Sequence, residues 1–162
     1  MEGGGGGYSL TDDQKNLLKQ EAEAKQELER AKAARRNLFI SFAAEDIDEV
    51  NLLRGQAKNE KSEIDFVDRS VRVPYDSKRA DYIRQRISER IRQSSMTVVF
   101  VSDHTANSQW VDWEIRRSLD LGKKVIAFHT GDAPPRGLPS AVRENNIRVV
   151  PWSKLKTEIK PH

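Results

Sequence analysis

Residues Val98 to Leu121 read VVFVSDHTANSQWVDWEIRRSLDL, a strand-like run that passes through a polar loop into a helix. Thr97 to Val101 is a short β-branched and aromatic run bounded by polar residues, the pattern of a strand buried on both faces. Ser102 ends it. Asn107 or Ser108 can cap the helix that follows, because their side-chain oxygens accept from the orphan amides of its first turn. Gly122 with Lys123 and Lys124 supplies the stop, so the helix runs from about Ser108 to Leu121.

At roughly 100° per residue, Trp110, Leu121, Glu114, Ser118, Val111, Ile115 and Leu119 share one half of this helix. Asp112, Arg116, Asp120, Trp113 and Arg117 take the other half. Glu114 thus projects from the face that packs on a sheet. Burying an unpaired carboxylate costs several kcal/mol, so such a group is paired, protonated or beside a cleft. The wheel leaves two readings open, a glutamate paired with a nearby arginine or at the edge of the stripe, or a catalytic acid.

Working outward, Leu38 to Phe42 (LFISF) is a second strong strand, followed by an acidic loop at Glu45 and Asp46 and a helix from about Asp48 to Lys58. Ile64 to Val67 is a third strand, after which DRSVRVPYDS is an irregular loop fixed at Pro74. A helix starts at Asp76 or Ser77, with Ala80, Ile83, Ile87 and Ile91 as its core stripe and six basic residues spread over its other faces, the pattern of a solvated surface. Lys124 to Phe128 and Asn146 to Val150 are further strands, separated by a Gly/Pro loop at Gly131 to Pro139, and Trp152 covers the sheet end. Strands alternating with helices predict a parallel sheet covered on both faces. The crevice of such a sheet lies beyond the carboxyl ends of its strands, where the loops Ala43 to Asp46, Asp68 to Ser77 and Ser102 to Asn107 converge.

Ahead of this domain, Gly3 to Gly7 form a flexible leader, and Thr11 to Arg36 carry neither Gly nor Pro. Thr11 and Gln14 make a capping-box pattern at the head of one long helix. Its apolar stripe is thin, which suits docking, solvation or a weak pairing surface. The expected organisation is a leader over 1–10, a helical extension over 11–36, the α/β domain over 37–155 and a tail over 156–162.

The composition limits the chemistry. At 162 residues, the chain has room for one domain and an appendage. It has no apolar run near the roughly 18 residues a membrane span needs, and its leader lacks the pattern of a secretory signal. With no cysteine it reads as a cytoplasmic protein without disulfides. Its three histidines, His104, His129 and His162, are scattered as ordinary surface or loop residues, so no metal site is expected. A net charge of +3 is too small an excess to call for nucleic acid. Neither GxGxxG nor a GKS/T loop is present, nor a GxSxG elbow.

Four pieces together resemble the TIR domain, and within it the TIR-like branch of the bacterial Thoeris anti-phage system. They are FISFAAED (Phe39 to Asp46), DRSVRVP (Asp68 to Pro74), VVFVSDHTANSQWVDWEI (Val98 to Ile115) and KKVIAF (Lys123 to Phe128). The resemblance implies a flavodoxin-like α/β fold, a five-stranded parallel sheet in the order 2-1-3-4-5 with helices on both faces, to which the N-terminal helix is added. It implies an enzyme that takes NAD as substrate, with no cofactor, cleaves the nicotinamide glycosidic bond and makes a cyclic ADP-ribose-type signal for a downstream effector. The motif SQWVDWE aligns Glu114 with the family's catalytic glutamate, the residue the wheel also singles out. Phe42 and Ala43 match residues lining the family's substrate cleft. Asp68 and Ser70 of the BB loop, with Trp110, are the other substrate contacts the resemblance implies. It further implies homo-oligomers through TIR assembly, in which a neighbour's BB loop completes the site. The alternative is a non-catalytic interaction module acting by assembly alone, in which Glu114 is a structural ion pair.

Overall fold

The computed structural model describes residues 9–34, 36–59, 64–67 and 73–159, with side chains over 9–28, 37–58 and 73–159. The chain divides between residues 35 and 36 into two compact units. The first holds helix α1 (Asp12–Ala34). Its head is the expected capping box: the Gln14 amide donates to the Thr11 hydroxyl at 3.1 Å, and the Thr11 amide donates to the Gln14 side-chain oxygen at 2.9 Å.

The second unit runs β1 (Arg36–Ser41), α2 (Ile47–Asn59), β2 (Ile64–Val67), α3 (Ala80–Gln93), β3 (Met96–Phe100), α4 (Gln109–Asp120), β4 (Val125–His129), α5 (Ser140–Glu144), β5 (Val149–Pro151) and α6 (Trp152–Glu158). The strands form one parallel five-stranded sheet in the order β2-β1-β3-β4-β5. This is the expected architecture and strand order.

Alternation along the strands sorts the core into two faces. Leu38, Ile40, Met96, Val98, Phe100, Ile126 and Phe128 pack with Val50 and Leu53 of α2 and Leu155 of α6. On the opposite face, Phe39 packs with Ile83, Ile87 and Ile91 of α3, and Val99 and Ala127 pack with Val111 and Ile115 of α4. Burial of both faces accounts for the near-continuous apolar strands.

Where the elements differ from expectation, local geometry supplies the reason. Helix α3 starts at Ala80 and not at Asp76 or Ser77, because the Ser77 amide bonds Pro74 O and the Ala80 amide bonds Ser77 O, two turns that lead into the helix. The last strand begins at Val149 because Asn146 takes a left-handed φ of 51° on leaving α5, a short helix that the sequence reading left within connecting chain. Trp152 does cover the sheet end, its ring 5.4 Å from that of Phe128, but it also opens α6. The tail expected from 156 therefore starts inside a helix, where Leu155 and, just past the helix end, Ile159 are buried four residues apart.

Helix α4 is tied at both ends. Ser108 is the cap, accepting the Val111 amide at 3.3 Å, and Gly122 leaves the helix at φ 74°. On its outer face, Asp112 accepts from the Ala141 amide at 2.9 Å and the Ser140 hydroxyl at 3.0 Å, at the head of α5. Arg116 donates to Asp112 and to Glu144, both at 2.8 Å. Partial burial opposes ionisation of Asp112, but the Arg116 bond, the Ala141 amide and the Ser140 hydroxyl outweigh it and hold the carboxyl below its ordinary value. This stabilisation is fully present above the ordinary pKa of 3.8 and is lost as pH falls through the lower folded value. Asp112→Ala should destabilise the domain by about 1–2 kcal/mol at pH 7, a charged hydrogen-bond set discounted for solvent screening. Urea unfolding at pH 7 and in acid should show the difference between wild type and variant shrinking as the pH is lowered.

Candidate functional site

The strand order reverses between β1 and β3, and the loops that follow these two strands part to form a cleft. It has a volume of about 410 Å³ and is lined by Ala44, Glu45, Val73, Pro74, His104, Asn107, Ser108 and Trp110. The three loops expected to converge here are represented by Ala44 and Glu45, by Val73 and Pro74, and by His104 and Asn107.

Glu114 lies one turn beyond Trp110 on α4 and is fully buried. It does not itself line the cleft. The Ser41 hydroxyl at the end of β1 donates to Glu114 Oε1 at 2.7 Å. One turn further along α4, the Ser118 hydroxyl donates to the Glu114 carbonyl oxygen at 2.7 Å and lies 2.8 Å from the Thr97 hydroxyl of β3. Two neighbouring strands thus offer hydroxyls to the inner face of α4. Alternation along β1 explains it: Leu38 and Ile40 face α2, so Phe39 and Ser41 face α3 and α4. Of the two sequence readings of Glu114, the structure places it well inside the packed stripe and not at its edge.

Trp110 is buried among Ala80, Ile83 and Phe39, and its indole N–H donates to the Val73 carbonyl oxygen at 2.7 Å. The Tyr75 ring meets Trp110 edge-on at 5.2 Å, and the Arg84 guanidinium sits 4.4 Å over Tyr75 while donating to its carbonyl oxygen at 2.9 Å. Arg84 is therefore not one of the freely solvated charges expected on α3. It clamps the 73–75 segment against α3 and α4.

The other expected contacts divide. Phe42 and Ala43 are buried at the end of β1, and the cleft edge is made by the next two residues, Ala44 and Glu45. Asp68 and Ser70 lie outside the described residues.

A further group was not anticipated. His104, read from sequence as an ordinary loop residue, has Nδ1 3.0 Å from Oδ1 of the buried Asp46. The Ser102 hydroxyl donates to Asp46 Oδ2, and Ser102 Oγ accepts the His104 amide at 3.0 Å. The Asp46 hydrogen bond, opposed by the small desolvation of the ring and reinforced by the charges of Asp46, Glu45 and Asp103, raises the His104 pKa above its ordinary value. Asp46 and His104 are separated by 58 residues, and no sequence spacing signals such a pair. The one available hint was that both follow predicted strands. Among the described residues, no group of three His, Cys, Asp or Glu side chains could hold a metal ion, and no helix is long and apolar enough to cross a membrane.

Residues 39–134 match the family model of the Thoeris protein ThsB, TIR-like domain. A Bacillus cereus (strain MSX-D12) protein, ThsB1, named as a proposed cyclic ADP-D-ribose synthase, is 29% identical over 100 residues, covering 58% of this chain and 51% of that protein. The chain thus spans about half the length of this curated relative. Among solved structures, the TIR domain of the Toll-related receptor TRR-2 from Hydra magnipapillata superposes with a TM-score of 0.50 at 18% identity, covering 75% of this chain and 87% of that one, a likeness of fold alone. The family match runs from within β1 to past β4 and includes Ser41, Asp46, His104, Trp110 and Glu114. This chain belongs to the Thoeris ThsB TIR-like domain family.

Proposed function

We propose that the domain cleaves the nicotinamide glycosidic bond of NAD and closes the remaining ADP-ribosyl group into a cyclic ADP-ribose-type signal for a downstream effector. The observation that carries this reading is Glu114, a fully buried carboxylate held by Ser41 one turn below a cleft at the switch point of the sheet. The name of the Bacillus cereus relative supports the product class.

The chemistry suits such a group. Nicotinamide leaves as a neutral base, so the ribosyl carbon becomes oxocarbenium-like, and a carboxylate beside it stabilises the developing positive charge. In a water-poor setting that stabilisation is stronger than in bulk solvent. Ser41 fixes one carboxylate oxygen in position. Trp110 provides an apolar wall for a flat ring. Completion of the site by a neighbour's BB loop makes activity depend on assembly.

Three outcomes check this reading. Glu114→Gln keeps the shape of the side chain and should lower nicotinamide release by about 10²-fold or more, the scale of losing one electrostatic stabiliser. Chromatography of the reaction mixture would follow it, with unfolding curves showing that the fold is kept; release equal to wild type would refute the reading. Ser41→Ala should lower kcat by up to about 10²-fold through misplacement of the carboxylate and cost about 1.5–3 kcal/mol of stability. Wild-type activity per molecule should rise with protein concentration, in step with assembly seen by light scattering. Silence in a fully assembled sample would favour an interaction module acting by assembly alone.

A further inference from the structure

We propose that His104, backed by Asp46, is the proton acceptor for the hydroxyl nucleophile that attacks the ribosyl carbon. This rests on the NAD-cleaving reading and adds to it a second reacting group, carried by the loop after β3.

The geometry is that of an imidazole held from behind. The His104 side chain is 54% exposed and lines the cleft, whereas the Asp46 side chain beneath it is 5% exposed. Asp46 is bound at both oxygens, by Ser102 at Oδ2 and by His104 at Oδ1. An ionised carboxylate only accepts, so Nδ1 carries the proton, and the lone pair of the neutral ring sits on Nε2. Among the described residues, nothing hydrogen-bonds Nε2. The hydrogen bond from the His104 backbone N–H to Ser102 Oγ, and the buried Thr105 hydroxyl donating to the Ser102 carbonyl oxygen at 2.8 Å, fix the loop that carries the ring.

The charges decide what His104 meets. The described residues lining the cleft include Glu45 and no Lys or Arg, and Asp46 and Asp103 add two further carboxylates around the ring. A phosphate placed against Nε2 would face these three acids. A neutral O–H would not. Among the described residues, these charges favour a hydroxyl as the partner of Nε2, either water or a hydroxyl of the substrate's own sugars.

The step balances. The nucleophile's O–H bond breaks and its proton goes to Nε2. A new C–O bond forms at the ribosyl carbon, and the C–N bond to nicotinamide breaks with its electron pair leaving on the nicotinamide nitrogen. The positive charge of the nicotinamide ring is thereby exchanged for that of the imidazolium, which Asp46 stabilises, as the aspartate of a Ser-His-Asp triad stabilises its imidazolium.

The test is the pH profile of nicotinamide release by the full chain, with His104→Gln alongside. Since the base works unprotonated, wild-type kcat/KM should fall as pH drops through the His104 pKa, which lies above 6.5. In His104→Gln, that limb should vanish and the plateau rate should drop by about 10²–10⁴-fold, with partial rescue by free imidazole. Asp103→Asn should keep the limb and move its midpoint down, since one of the charges raising the pKa is gone. A wild-type rate and limb in His104→Gln would overturn this inference and leave the NAD-cleaving reading standing. An assembled wild type that releases no nicotinamide would overturn both. Nitrogen NMR of the neutral ring offers a check without turnover: a proton on Nε2 in place of Nδ1 would overturn the assignment by itself.

Discussion

The buried hydrogen bond from Ser41 to Glu114 sets the terms for the rest of the site. A carboxylate on the packing face of a helix is tolerable only where the opposing surface supplies donors, because desolvating an ion without them costs several kcal/mol. The opposing surface here is the edge-to-edge seam of β1 and β3, an otherwise apolar floor into which Ser41 and Thr97 introduce two hydroxyls. Ser41 answers Glu114, and Thr97 answers Ser118 one turn on. A one-residue slip of β1 would turn Ser41 to the α2 face and bring Ile40 beneath the carboxylate. Register and chemistry are thus the same constraint.

That constraint also locates the cleft. Since β1 and β3 are neighbours in space but not in sequence, the chain leaves β1 toward β2 on one side and leaves β3 toward β4 on the other. The two departing loops have no strand between them to fill the gap. Asp46 bridges what remains, reaching from the loop after β1 to Ser102 and His104 after β3. The third wall comes from the 73–75 segment, which hangs from Trp110 through the Val73 carbonyl and is pressed down by Arg84. Two of these anchors join side chain to side chain and two join side chain to backbone, so loops of irregular shape are held in place without regular secondary structure.

The legible part of this design was the part governed by periodicity. The alternation of strands and helices, an α4 cap at Asn107 or Ser108, the α3 core stripe of Ala80, Ile83, Ile87 and Ile91, and the inward position of Glu114 follow from apolar spacing and end signals, whereas the strand order came from the family resemblance. What escaped has no period. His104 and Asp46 meet across 58 residues, and a single histidine in a polar loop looks the same in sequence whether or not a buried acid waits beneath it. Helices α5 and α6 were hidden for a different reason. At five and seven residues they are too short for a hydrophobic repeat, and α5 is capped from outside by Asp112 of α4. The Phe42 and Ala43 contacts came from family resemblance, which locates a loop but not the burial of these two residues beside Ala44 and Glu45 at the cleft.

Two acids stand near one cleft, and burial separates their roles in the proposed reaction. Glu114 is fully buried and accepts from the Ser41 hydroxyl, and in such a low-dielectric setting a carboxylate acts strongly on a cationic centre. Asp46 is also buried but directs its charge to His104, a ring that reaches out to solvent. The first arrangement stabilises charge that appears on carbon; the second moves a proton from oxygen. Departure of nicotinamide needs only the former, because the leaving group requires no protonation, whereas capture of the ribosyl carbon by a hydroxyl needs the latter. A carboxylate and an imidazole, not two carboxylates, are therefore the matched pair for a reaction whose leaving group is already cationic and whose nucleophile is neutral.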